Sequence, residues 1–166
     1  GDRVGLFAFD AKPRLSSGTV SGAKSFPVLQ RLAARIDYSN DETNFTLGLT
    51  QLSGELERRS LVVVFTDFAD ATSAELMIEN TARLLRTHLV LFVVFRDEEL
   101  EAMVDKEPVE AKDVSRAVIA DALLRERDVV TTRLRRLGAE IVDAPAEAAG
   151  INLLNAYLDL KRRNVL

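Results

Sequence analysis

Apolar residues along this chain fall into two kinds of pattern. Short unbroken runs occur at Val4–Phe9, Leu61–Phe65 and, after His88, Leu89–Phe95, and Ala139-Glu140-Ile141-Val142 reads as a last strand. Unbroken runs of this length suit strands covered on both faces, as in parallel sheets. Between them, apolar positions recur every three or four residues. Val28, Leu29, Leu32, Ala33 and Ile36 follow Ser25, a candidate helix cap. Phe45, Leu49, Leu52 and Leu56 share one face of a helix opening at Thr43. Thr72-Ser73-Ala74-Glu75 has the spacing of a capping box for a helix running towards Arg86. A short helix is predicted from Glu98 to Met103, and a long one from about Asp113 to Leu137, where Gly138 can end it. Pro145 starts a last helix that closes on Lys161-Arg162-Arg163, basic residues suited to a helix C-terminus. Lys12 to Ala23, rich in Ser, Gly and Pro, reads as a loop with at most a short edge hairpin. Strands thus alternate with helices, which predicts a three-layer α/β domain with a mostly parallel open sheet.

Composition narrows the chemistry more than the fold. The 166 residues are 47% hydrophobic and 29% charged, which suits one globular domain over 1–166. There is no cysteine and a single histidine, so thiol catalysis, cysteine-held metals and a serine or cysteine triad have no basis. The net charge of −4 argues against a nucleic-acid footprint. The longest apolar runs fall far short of the ~20 residues a membrane span needs. The chain opens at Gly1 directly on a strand-like run and is read as a piece of a longer protein.

Each predicted strand ends at or beside an aspartate: Asp10, Asp67, Asp97 and Asp143. Ligands of open α/β sheets bind beyond the carboxyl ends of the strands, and carboxylates there suit a hard cation. Turn formation and helix capping favour aspartate at the same positions. Other constellations fail. Gly18 to Ser25 has the wrong spacing for a phosphate loop, and neither GxGxxG nor GxSxG is present. His88 opens an apolar strand, where a structural role outweighs general-base work. Asn44-Phe45-Thr46 is a formal glycosylation sequon. Arg133, Arg135 and Arg136 end the long helix, either as a dipole-favoured end or as a docking patch for an acidic partner.

Three segments carry a family resemblance. Gly1 to Phe9 (GDRVGLFAF) looks like the second strand of a von Willebrand factor A-type domain. Thr43 to Leu49 (TNFTLGL) is similar to the segment whose threonine joins that fold's metal-ion-dependent adhesion site. Leu61 to Asp67 (LVVVFTD) is similar to the strand whose aspartate does the same. Thr66-Asp67-Phe68-Ala69-Asp70, the strand from His88 and the ending Tyr157 to Arg163 resemble more narrowly the bacterial group called domain of unknown function fifty-eight. The resemblance spans nearly the whole chain. It implies a von Willebrand factor A or Rossmann-like sheet whose first strand, with its DxSxS motif, precedes Gly1.

It further implies a non-enzymatic protein-interaction domain with a partial adhesion site. Thr43 and Asp67 would be the metal contributors, Asp10 and Asp70 an accessory acidic rim, and Mg²⁺ or Mn²⁺ the ion, held fully only in the parent protein. The implied partner is a MoxR-type AAA+ ATPase, the implied process protein maturation or assembly. A cytoplasmic location is expected, with a membrane anchor elsewhere in the parent left open. Two alternatives stay open beside this: an α/β phosphotransfer or phosphatase-like enzyme using Asp10 or Asp67, and a purely structural domain with a degenerate site. The first would need a second carboxylate for Mg²⁺ and a hydroxyl such as Thr66.

Overall fold

The computed structural model describes residues 2–66 and 71–163. It divides into two compact units, Gly1–Arg58 and Arg59–Leu166.

In the first unit, β1 (Arg3–Phe9) and β2 (Pro13–Ser21) form an antiparallel hairpin, followed by a 3-10 turn at Ala23–Ser25, α1 (Phe26–Ala33) and α2 (Phe45–Glu55). The nine-residue β2 corrects the loop expected over Lys12 to Ala23. Its inward positions Pro13, Leu15 and Ser17 alternate with exposed ones, so a strand is made from turn-rich residues once β1 supplies the pairing. The register slips between Gly5 and Phe7, where the Leu6 N–H donates to the Ser17 hydroxyl at 2.8 Å instead of joining the ladder. Gly5 permits the close approach there: a Cβ would lie 2.7 Å from the Gly18 carbonyl oxygen. Ser25 holds the N-cap position of α1 but makes no side-chain cap; its hydroxyl donates to the Ser21 carbonyl instead. The helix stops at Ala33, short of Ile36. The unit's apolar centre is aromatic, with Phe9 between Phe7 (ring centroids 5.9 Å apart) and Phe45 (5.7 Å, edge-on), above Gly48 and buried Leu49.

The second unit is a parallel sheet of order β3-β4-β5, built from β3 (Leu61–Thr66), β4 (Leu89–Phe95) and β5 (Glu140–Ala144). Helices lie on both of its faces: α3 (Ala71–Leu84) and α5 (Ala111–Leu137) on one, α6 (Ala146–Arg162) on the other. This is the α/β arrangement with a parallel sheet flanked by helices that the patterning predicts. Side chains alternate across the strands, so Leu91, Val93, Val142 and Ala144 pack beneath Ala149 and Leu160 of α6. Phe92 and Val94 face the other way, and Leu91 to Val94 are all 0% exposed. α3 begins at Ala71, ahead of Thr72, and Glu75 makes an ion pair with Arg133. α5 ends as its sequence predicts, at Gly138 with φ 100°, a left-handed turn that glycine adopts without strain. Between β4 and α5, α4 (Glu98–Asp105) packs against α5 and no other element.

Candidate functional site

The carboxyl ends of β3, β4 and β5 share one edge because the strands are parallel. Three side-chain features meet there, and sequence reasoning anticipated only part of each. Asp143 sits one residue before the end of β5, and its carboxylate accepts from two guanidiniums. Arg127 of α5 reaches it through a terminal nitrogen at 2.8 Å, and Arg96, just beyond β4, through Nε at 3.1 Å. Partial burial of Asp143 works against ionisation, but the hydrogen bonds and charges of Arg127 and then Arg96 outweigh it and hold the carboxyl below its ordinary range. Arg127 is only 11% exposed, and its Nε has no partner among the described residues. A signal for it does exist in the sequence. The covered stripe of α5 runs Ala117, Ala120, Leu124, Arg127, Thr131, Leu134 at intervals of three and four, and Arg127 is the one charge on it.

Asp97 is spent on capping: its carboxylate accepts the Leu100 N–H at 3.0 Å and opens α4. Beside it, Phe65 and Phe95 stack with ring centroids 6.4 Å apart, on the sheet face that carries α6. Phe65 remains 59% exposed, since α6 lies over β4 and β5 rather than over β3.

In the first unit the predicted Asp10, just after β1, meets Asn44, the neighbour of the predicted Thr43. The Asn44 N–H donates to the Asp10 carbonyl at 2.9 Å, while the Asn44 side chain caps α2 by accepting from Leu47 at 2.9 Å. Asn44, not Thr43, is therefore the cap; half-buried Thr43 precedes it. The Asp10 carboxylate accepts from Arg14 Nε at 2.5 Å and from the Lys12 N–H at 3.1 Å. Partial burial opposes its ionisation, but Arg14, Lys12 and the Ser39 hydroxyl together hold its carboxyl below the usual carboxylate range. A carboxylate already paired with a guanidinium and one hydroxyl are too few oxygens for Mg²⁺, which demands near-octahedral coordination. The remaining predicted contributors, Asp67 and Asp70, lie outside the described residues. Among the described residues, no group of three or more His, Asp or Glu is placed to hold a metal.

The basic cluster is split. Arg133 makes a two-armed ion pair with Glu75 of α3, one arm at 2.8 Å, which lowers the Glu75 carboxyl from its ordinary range and raises the Arg133 guanidinium. That pair closes one side of a cleft of about 270 Å³ between α3 and α5, walled by Ala74, Ile78, Val129 and Val130. Arg135 and Arg136 stay exposed, with no ion pair among the described residues. His88 is buried immediately before β4, its N–H donating to the Leu84 carbonyl at 2.8 Å, a structural position. No described helix is long and apolar enough to cross a membrane.

No protein-family model, curated protein or solved structure matches this chain.

Proposed function

We propose that this chain is a non-enzymatic protein-interaction domain of the von Willebrand factor A type, in which Thr43 and Asp67 are the contributors to a divalent-cation site in the parent protein. The observation that supports this is the fate of the strand-end aspartates. Asp10 is held by Arg14, Asp97 caps α4, and Asp143 is held by Arg127 and Arg96. Guanidinium-paired or cap-engaged carboxylates are poorly suited to act as a nucleophile or to bind a cation. Asp67 directly follows β3 in sequence, at the position where the resemblance places the site's aspartate. The open parallel-sheet edge and its exposed Phe65–Phe95 pair favour a contact surface. When bound, Mg²⁺ or Mn²⁺ would supply an open coordination position for a partner's carboxylate. The identity of the partner as a MoxR-type AAA+ ATPase rests on the resemblance of the motifs alone.

Isothermal titration of the full-length protein with Mg²⁺ and with Mn²⁺ tests the metal. Wild type is expected to bind and Asp67→Ala to lose most of the heat; indistinguishable titrations remove the cation site from the reading.

A further inference from the structure

α4 and the N-terminal half of α5 form an arm whose outer faces are left uncovered by the other described elements of the second unit. α4 contains no buried residue and touches only α5. Over the first half of α5, Ala120 is the one buried position. The helix is 27 residues long, about 40 Å at 1.5 Å per residue, so this half extends well away from its packing against β5 and α3. Its uncovered side chains are not scattered. Val114 and Val118 (49% and 64% exposed) stand four residues apart on one flank of the covered stripe, and Ile119 and Leu123 (61% and 40%) on the other. Met103 and Val104 of α4, 40% and 36% exposed, add to them. Residues four apart lie on one face of a helix, and exposed apolar surface gathered in this way marks an interaction site.

Charge identifies the occupant. Residues 97–113 hold eight carboxylates and two lysines, a net −6 against −4 for the whole chain, so everything else sums to +2. Residues 114–123 add one arginine, Arg116, and one aspartate, Asp121, so the arm keeps this excess. An apolar surface adjoined by this much negative charge repels nucleic acid and anionic lipid, and it rewards cationic side chains flanking apolar anchors. We propose that the α4–α5 arm docks a basic amphipathic helix of a partner protein, with its apolar side chains against the exposed valines and its lysines or arginines against the surrounding carboxylates. The surface is independent of Thr43 and Asp67 and holds whether or not a cation binds.

The test uses the full chain and a synthetic leucine–lysine helix about 20 residues long, enough to remain helical, read by fluorescence anisotropy. A leucine–glutamate helix serves as the opposite-charge probe. Glu98→Gln/Glu99→Gln/Glu107→Gln removes arm charge with little change in shape. Val114→Ser/Val118→Ser removes apolar surface. Glu42→Gln/Glu57→Gln/Glu147→Gln makes the same charge change elsewhere on exposed positions. Circular dichroism confirms that each variant folds. The expected result is binding of the basic helix alone, weakened about tenfold by either arm variant, which corresponds to about 1.4 kcal/mol, and unchanged by the control. Affinity should also fall as ionic strength rises from about 0.01 M to about 0.15 M, where the Debye length shrinks from about 30 Å to about 8 Å. Several results overturn the proposal: no binding by wild type at low ionic strength, equal loss in the control, or loss in the charge variant with none in the valine variant. Light scattering on the unliganded chain adds one more: a dimer abolished by the arm variants makes a second copy the occupant instead.

Discussion

Strand β4 and the β1–β2 hairpin both contain strongly apolar runs, yet they are packed to different depths. In β4, Val90 to Val94 are all buried. In the hairpin, no residue of either strand is, although Leu6 to Phe9 are as apolar as β4. The difference lies in what each strand has around it. β4 has a strand on both edges and helices on both faces. β1 has one strand partner and an aromatic contact from Phe45 on α2. An apolar run therefore predicts a strand, whereas the number of covering layers decides how much the run stabilises.

The largest expected effect comes from testing that directly. Phe92→Ala removes a ring with no solvent exposure from the middle of the sheet and should cost about 3–5 kcal/mol, enough to unfold much of the second unit. Phe7→Ala, in the half-buried hairpin, should cost only about 1 kcal/mol. Urea denaturation measures both. Amide hydrogen exchange sharpens the contrast, with β4 amides protected longest and hairpin amides exchanging through smaller openings. Equal protection in the two regions would break the comparison.

A second prediction concerns what ties α5 to the sheet. Asp143→Asn leaves the largely covered guanidinium of Arg127 without its counter-charge and should cost about 2–3 kcal/mol. The sign of its pH dependence follows from the lowered carboxyl. Because folding favours the ionised form, the contribution is full above the unfolded-state value near 3.9 and is lost as pH falls through the lower folded-state value. Wild type and Asp143→Asn should therefore differ most near neutral pH and converge in acid. Thermal melts from about pH 7 down to about pH 3 would show a constant gap if the carboxylate does not carry the effect.

The same two regions explain what the sequence could and could not disclose. The parallel-sheet strands, the long helix and its Gly138 stop are written in local pattern, and they appear close to where that pattern puts them. β2 is not, because Pro13, Ser16, Ser17 and Gly18 carry loop propensities that only pairing with β1 overrides. The aspartates were visible as strand ends, but their partners were not. Arg96 lies 47 residues from Asp143 in the chain, and Arg127 lies 16 away. Tertiary folding brings them together, so no local spacing announces the contact. The uncovered faces of α4 and α5 escaped for a related reason: helical periodicity shows which positions are apolar, not whether another element arrives to cover them.

The smallest effects test the hairpin's side of the comparison, through two glycines on one helix. Both Gly48 and Gly54 lie in α2, and replacing a helical glycine by alanine ordinarily gains about 0.5–1 kcal/mol through lost unfolded-state freedom. At Gly54 nothing lies within 4 Å of a new Cβ, so Gly54→Ala should stabilise by that amount. At Gly48 the Cβ would clash with the Phe9 ring, lying 2.5 Å from its Cε2, so the ring, which packs edge-on against Phe45, must shift. Overpacking typically costs about 1–3 kcal/mol; set against the helix gain, Gly48→Ala should destabilise by about 1–2 kcal/mol. Phe9→Leu in the same chain should recover part of that loss, and a double-mutant cycle in urea reads the coupling. Opposite signs at the two glycines would show that the hairpin is held to α2 by specific contact with the Phe9 ring. Equal gains would mean that the ring moves freely, and that the hairpin is looser than its shallow burial already implies.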